Sequence, residues 1–398
     1  MIHNTMEIQL LRLRYVSCVS KGLRRQKKHI TKASLPDAIV IEKEKVIPTK
    51  SQVLSVIPKE YFKKDTSKSL TYLYITMSIL AANTTIFVSY FPTTLTYAPV
   101  WALYALMNGT IATGAWVLAH ECGHGAFSDN KWLECVVGYT LHTLLLVPYF
   151  SWQRSHIIHH SKTNHIFEGE SHVPPVEGEN AGLFFEILDI LLNENIFPVF
   201  HALIMFLFGW PLYLLFGASG GPVRGITNHF NPNSSLFPAV WKTRVLVSDI
   251  GILFVLAGLI YWGFAHGITS VLLIYVGPYL VTNAWLVLYT WLQHTDVYVP
   301  HLGPDKWTWT RGAFLTIDRP YGFVLNFLHH NIGSTHVAHH IAHMIPHYNA
   351  KAVTKILAKE FPELYLYDPT PIWKAVWRVS AKCVTVKQKK DGIYVFQL

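Results

Sequence analysis

The chain carries its hydrophobicity in blocks of bilayer length, and this restricts its fold more than any other feature. "SLTYLYITMSILAANTTIFVSYF" fills residues 69–91 and "APVWALYALMNGTIATGAWVLAH" fills 98–120, joined by a short link with Pro92 and Thr93. Further blocks cover 132–150, 183–217, 245–265 and 269–292. About 20 apolar residues in a helix cross the hydrocarbon core, so the blocks imply an all-α integral membrane protein. Only 14% of the 398 residues are charged, against about a quarter in a soluble protein. The block 183–217 is interrupted by Asp189, Asn193, Glu194, Asn195 and Pro198, then by Gly209, Trp210 and Pro211. That pattern suits helices lying in the membrane interface better than a clean span.

The net charge of +9 comes largely from the first 70 residues and the tail. "KGLRRQKKH" and "PKEYFKK" precede the first apolar block, which places the N-terminus in the cytosol by the positive-inside rule. Residues 1–48 read as a disordered basic arm, with an organellar transit peptide or an extension of the reading frame as alternatives. Residues 49–398 form the membrane domain. The basic runs have no helix-turn-helix, zinc finger or aromatic-basic sheet pattern behind them, so nucleic acid is not an expected partner. Cys18, Cys122, Cys135 and Cys383 show no paired spacing, which removes a disulfide framework and a Cys-x-x-Cys site. A bound metal would have to be held by histidine.

Of 22 histidines, 20 lie between His120 and His347. "HECGH" supplies His120 and His124, "HIIHH" supplies His156, His159 and His160, and "HVAHH" supplies His336, His339 and His340. Residues three and four apart share a helix face, roughly 5–6 Å apart at Cβ, so each cluster can present imidazoles to one ion. Eight imidazoles exceed the needs of a tetrahedral zinc site. Imidazole suits iron as well as zinc, and two irons are the economical reading. A histidine-rich metal transporter is the rival of another class, but it would want ionisable residues within the spans. These clusters sit at the ends of the apolar blocks.

The order "HECGH … HIIHH … HVAHH" resembles the membrane-bound fatty acid desaturases, the histidine-box di-iron enzymes. The resemblance runs from about Thr49 to the C-terminal region. The flanking words "SWQRSH", "TNH", "EGESHVP", "TWLQHTDVYVPH", "TIDRPYG" and "IPHYNAKAVTKIL" resemble the methyl-end branch, the omega-3 and delta-12 desaturases. Members of that family carry a ninth histidine ligand after the last membrane helix, and the matching position is His294 in "WLQHT". The implied metal ligands are His120, His124, His156, His159, His160, His294, His336, His339 and His340. The resemblance implies two iron ions, dioxygen as oxidant and a cis double bond as product. It also implies a fatty acyl lipid or acyl-CoA substrate and the endoplasmic reticulum membrane. There is no His-Pro-Gly-Gly haem word, so electrons are expected from a separate cytochrome b5 and its reductase. Front-end relatives usually begin the third box with glutamine, and stearoyl-CoA-type relatives have a longer first box; this chain has His336 and the shorter spacing. "SWQRSH", "TNH" and "EGESHVP" favour omega-3, with delta-12 (oleate to linoleate) as the alternative. A hydroxylase or acetylenase of the same family would keep every histidine.

One shared site requires all three boxes and His294 on one side of the membrane. The hairpin 69–120 starts and ends in the cytosol, so 132–150 must not cross, and an even number of crossings must separate His160 from His294. Four transmembrane helices follow, with 183–217 interfacial and a cytosolic helical cap holding the di-iron centre. Glu121, Glu168, Glu170, Asp296 and Asp318 are candidates to orient ligand imidazoles, or are caps and surface charges. His165, His172, His229, His329, His330, His343 and His347 are read as structural or supporting. Trp285, Tyr289 and Trp291 line either an acyl tunnel or the lipid. Ile157 and Ile158 point away from the box-two face, where they would pack the box against the cap.

Overall fold

The computed structural model describes residues 47–178, 180–390 and 392–397. The expected basic arm lies outside the described residues except for its last two. Helix α1 (Lys50–Ser55) opens the described chain and packs Val53 into the cap core. Helix α2 (Thr66–Tyr90) begins where the Asp65 side chain accepts from the Lys68 backbone N–H. Helix α3 (Ala98–His124) has Pro99 in its first turn and ends on Gly125, whose φ of 71° is the left-handed cap that favours glycine. The first histidine box therefore occupies the last turn of a long buried helix. A Cβ on Gly109 would lie 2.5 Å from the Pro278 carbonyl, and one on Gly114 would collide with the Leu328 carbonyl. Small residues here let α3 approach its neighbours closely, as packing between membrane helices requires.

The block 132–150 does not form a straight span. Helix α4 (Lys131–Leu144) and helix α5 (Tyr149–Ser161) meet at an angle of 102°. The chain turns back at Leu146, which adopts a φ of 54°, and α5 returns the second box to the side where α3 ends.

Helices α6 (Asn180–Leu191) and α7 (Ile196–Phe216) follow. The expected interruption at Gly209–Pro211 does not occur, because α7 runs through Pro211 without a break. Pro198 sits in its first turn, where the backbone N–H has no helical partner to lose. Helix α8 (Lys242–His266) turns at Gly267 into α9 (Ile268–Val271), a π-turn (Leu272–Val276) and α10 (Gly277–His294).

Five helices among the described residues are long and apolar enough to cross a membrane, Ile196–Phe216 included. Parity decides which of them do. His159 Nε2 lies 3.2 Å from His294 Nε2, so the chain between them crosses an even number of times, and α8 with α9–α10 supplies two crossings. Helix α7 is the one left over, and its hydrogen bonds agree. Near its start, His201 Nδ1 donates to the Ser380 carbonyl at 2.8 Å; near its end, the Tyr213 hydroxyl donates to Glu170 at 3.0 Å. Both partners belong to the side that carries the histidines. Four helices span, and α7 lies along the interface.

The cap is built from α11 (Trp309–Phe314), α12 (Gly322–Leu328), α13 (His336–Ile341), α14 (His347–Glu360) and α15 (Ile372–Lys382). Short strands, absent from the all-helical expectation, tie it together. Strand β1 (His301–Leu302) pairs antiparallel with β5 (Ile393–Phe396), which pairs with β4 (Val386–Lys390). Strand β2 (Ile317–Asp318) pairs parallel with β3 (Leu366–Tyr367). Val53, Phe314, Val337, Ile341, Val353 and Leu357 form the core beneath the third box.

The interfacial placement of α7 is checked with single cysteines at exposed Asn193 and Ser219, which flank it, and at Lys355 in α14. In sealed vesicles all three should react with a membrane-impermeant maleimide from the same side. Opposite labelling of positions 193 and 219 would make α7 a fifth span.

Candidate metal centre

Four helix segments deliver the histidines. His120 and His124 come from the end of α3, and His156, His159 and His160 from α5. His294 closes α10, and His336, His339 and His340 occupy the short α13. Their Nε2 atoms converge. The separations are 3.0 Å for His120–His156, 3.2 Å for His124–His120 and 3.1 Å for His160–His156. A second set joins at 3.2 Å for His159–His294 and 2.9 Å for His336–His294. Ligand atoms of His120, His124, His156, His160 and His339 lie within 4.8 Å of one another, as do those of His159, His294 and His340. All nine histidines singled out in the sequence are brought together, in two adjoining groups.

This donor set fits metal ions better than it fits itself. His339 Nε2 and His340 Nε2 are buried without a hydrogen-bond partner, a costly state for a polar atom unless something binds it. Burial first, and neighbouring imidazoles second, push His336, His339 and His340 well below the ordinary histidine pKa. They are neutral, which leaves a lone pair for coordination. Only nitrogen converges here; magnesium and calcium demand oxygen ligands, whereas iron and zinc accept imidazole.

Hydroxyl groups set the orientation of two rings. Ser171 Oγ lies 2.9 Å from His159 Nδ1, and Thr163 Oγ1 lies 3.1 Å from His340 Nδ1. With Nδ1–H donated to the hydroxyl oxygen, the Nε2 lone pair points at the centre. Neither residue stands out in the sequence, where carboxylates are the natural candidates for this role. Their signal was local: Thr163 precedes "NH" in "TNH" and Ser171 closes the acidic run of "EGES".

The carboxylates divide. Glu121 Oε1 stands 3.6 Å from His120 Nδ1, while its Oε2 accepts the His347 N–H at 2.9 Å. Asp318 accepts the Val337 N–H at 2.9 Å and the Tyr365 hydroxyl at 2.8 Å, holding the start of α13 rather than an imidazole. Glu168 pairs with Lys162 and faces His165 at 3.5 Å. Glu170 accepts from Tyr213, whose hydroxyl also meets Ser155 at 3.0 Å. Asp296 belongs to a buried ion cluster: Arg319 Nη2 donates to it at 2.7 Å and Arg378 Nη2 at 2.6 Å, and both guanidiniums also reach Asp368. Arg319 Nε donates to the Leu292 carbonyl at 2.9 Å, so the cluster closes the last turn of α10 at His294. Removing one partner of such a buried set costs about 3–5 kcal/mol.

The other histidines are supporting. His165 Nδ1 accepts from the Phe167 and Glu168 N–H groups, His229 Nε2 meets Ser155 Oγ at 2.9 Å, and the His172 ring stacks on His294 with centroids 5.4 Å apart. His329 bridges the Tyr289 hydroxyl and the Thr110 carbonyl. His330 Nε2 lies 3.3 Å from Thr76 Oγ1, and the rings of His330 and His347 are 4.8 Å apart. The ring of His343 lies 5.0 Å from His124, beside the five-histidine group. Trp285 donates to Thr110 Oγ1, and Trp291 is buried against Leu292 and Val379; with Tyr289 bonded to His329, these aromatics bind helices together. Ile158 packs on Leu236, Phe237 and Val245, whereas Ile157 is 43% exposed. The packing role expected for both isoleucines falls to Ile158 alone, because adjacent helical residues point about 100° apart.

The fatty acid desaturase family matches residues 99–371, more than half of the chain. This chain belongs to the fatty acid desaturase family. Similar proteins include the delta-12 fatty acid desaturase of Calendula officinalis, 39% identical over 88% of this chain and 91% of its own length. The delta-12 fatty acid desaturase of Arabidopsis thaliana is 40% identical over 84% and 87%, and that of Mortierella isabellina 37% identical over 92% and 96%. The endoplasmic reticulum omega-6 desaturase of Brassica juncea is 39% identical over 86% and 89%. The desaturase is a membrane-embedded oxidoreductase acting on fatty acyl chains.

Two outcomes test the geometry of the site. Replacing Ser171 with alanine should weaken metal affinity by about 10- to 100-fold, read by metal retained through chelator titration, with the secondary structure unchanged. Burial pushes the Glu170 carboxyl up to about 8, against the opposing Tyr213 hydrogen bond. The unfolded carboxyl titrates at about 4.3, so the folded state holds this proton more tightly. The stability it contributes is full below about pH 4 and lost as pH rises through about 8. Wild-type Tm should therefore fall between about pH 4 and 8 and level off above that, and Glu170→Gln should flatten that slope.

Proposed function

We propose that this desaturase is a delta-12 enzyme that inserts a cis double bond into an oleoyl chain at a di-iron centre. The convergence of nine imidazoles, without a carboxylate among them, carries the metal assignment. His120, His124, His156, His160 and His339 would hold one iron, and His159, His294, His336 and His340 the other. Bound iron supplies activation of dioxygen, and with it the oxidising power to remove hydrogens from unactivated methylenes, which no side chain possesses. The protein's own part is to hold geometry and protonation. Ser171 and Thr163 keep protons at Nδ1 of His159 and His340. Asp318 fixes the first turn of α13, and the Arg319 cluster fixes the end of α10. Seven of the nine are buried and His124 and His156 are half-buried, which restricts water at the centre.

The delta-12 assignment rests on the relatives, which carry delta-12 or omega-6 names. The flanking words had favoured omega-3; they are short, and relatives aligned over most of the chain outweigh them. Two electrons per turnover would come from cytochrome b5 and its reductase, since the sequence contains no haem-binding word. The basic residues before α2 support a centre that faces the cytosol, and the endoplasmic reticulum desaturase of Brassica juncea, a relative, supports that membrane as the location.

Expression in yeast with gas chromatography of the fatty acids tests the reading. Conversion of endogenous oleate to linoleate is the expected result. A new double bond appearing only when linoleate is fed would restore omega-3. His159→Ala and His339→Ala should each abolish the product and lower bound iron per chain; full activity in either variant would reject the di-iron assignment.

A further inference from the structure

Helix α15, in "PIWKAVWRVSAK", supplies no histidine to the metal centre and touches it only through Arg378 in the ion cluster. Ala375 and Val379 on its inner face pack into a core with Trp291 and Leu292. Trp373 and Trp377, one turn apart on the outer face, are 70% and 45% exposed. Lys374 lies beside them, its Nζ 5.1 Å from the centroid of the Trp373 ring.

The helix is locked in this orientation from two flanks. The Ser380 carbonyl accepts from His201 of α7 at 2.8 Å. Arg378 donates to Asp296 at 2.9 and 2.6 Å. Turning the indoles inward would pull Arg378 out of the buried ion cluster. They face outward by construction.

The chemistry of this face is that of a lipid interface. An indole combines an apolar ring with one N–H donor and settles at headgroup depth. Lysine stems cover apolar surface while their ammonium groups stay in water; Lys374 stands beside the tryptophans, and exposed Lys382 ends the helix on its opposite side. Continuity selects lipid as the occupant. Helix α7, which holds α15 through His201, exposes Val199, Phe200, Leu203 and Leu207 along its outer side; it is tied to the cap at Ser380 and to Glu170, beyond the second box, near its other end. Ala375 and Val379 of α15 pack in one core with Met205 and Phe206 of α7, so the tryptophans are carried on a helix that is itself seated on the interfacial one.

We propose that α15 is an interfacial anchor, in which Trp373 and Trp377 seat the cap on the headgroup region of the bilayer. This stands on the placement of α7, not on the choice between delta-12 and omega-3. The full chain in phosphatidylcholine nanodiscs, with Cys18→Ser and Cys135→Ser, tests it by spin labelling at Trp373→Cys, Trp377→Cys or Lys382→Cys. Labels at 373 and 377 should collide more with oxygen than with a water-soluble nickel chelate, and the label at 382 should show the reverse. Nickel exposure at 373 and 377 equal to that at 382 overturns the proposal. So does dipolar broadening at 373 without oxygen preference, which would place a second copy of the chain there. A measurement that does not depend on the cysteine variants compares wild type with Trp373→Phe/Trp377→Phe, after both show the same Tm. Bromine near the headgroup end of the acyl chains should quench the fluorescence lost in the variant more than bromine near the methyl end does. No difference in quenching between wild type and variant refutes the anchor.

Discussion

Everything in this structure serves the meeting of nine neutral imidazoles delivered by four separate helix segments. Ring nitrogens 2.9–3.2 Å apart repel if both are charged, and His339 Nε2 and His340 Nε2 find no partner among their neighbours. Such a cluster persists only where surrounding packing holds it and where a cation completes it. The supporting structure is correspondingly rigid: Gly109 and Gly114 let α3 sit close to α10 and the 328–330 loop, and a buried ion cluster fixes the end of α10.

The same meeting dictates topology. Histidines from residues 120 to 340 must reach one side of the bilayer, so every apolar segment between them either crosses in pairs or stays on that side. Helices α4 and α5 stay by bending through 102°. Helix α7 stays because both its ends bond to the side that carries the histidines, although its composition alone would let it cross. Hydropathy measures what a helix tolerates; the site constrains what it does.

Much of the centre was legible from spacing. Histidines at i, i+3 and i+4 share a helix face wherever they occur, so the three boxes announced themselves as ligand sets, and resemblance supplied His294. The interrupting residues of 183–217 act unequally: Asn193–Asn195 separate two helices, whereas Gly209–Pro211 break nothing, and the interfacial placement of α7 rests on its contacts with the side that carries the histidines. The supporting groups were less visible. Carboxylates near the boxes were the natural candidates to orient imidazoles, yet Asp296 and Asp318 hold backbone and arginines, while the orienting contacts come from Ser171 and Thr163. A hydroxyl near a histidine is too common a pattern to stand out along a chain.

By itself the sequence determined the class of the protein, a mainly helical membrane chain with a histidine-rich centre, because hydrophobic length and helical periodicity are local properties; the short strands of the cap it did not announce. It determined the nine converging histidines for the same reason, with family resemblance adding the one that stands alone. Only the tertiary structure decided how they divide, five in one group and three in the other with His336 beside His294, which of five apolar helices stays in the interface, and that Ile158 rather than Ile157 packs inward. Those outcomes depend on contacts between segments far apart in the chain, and no local pattern of residues encodes which distant surface will meet them.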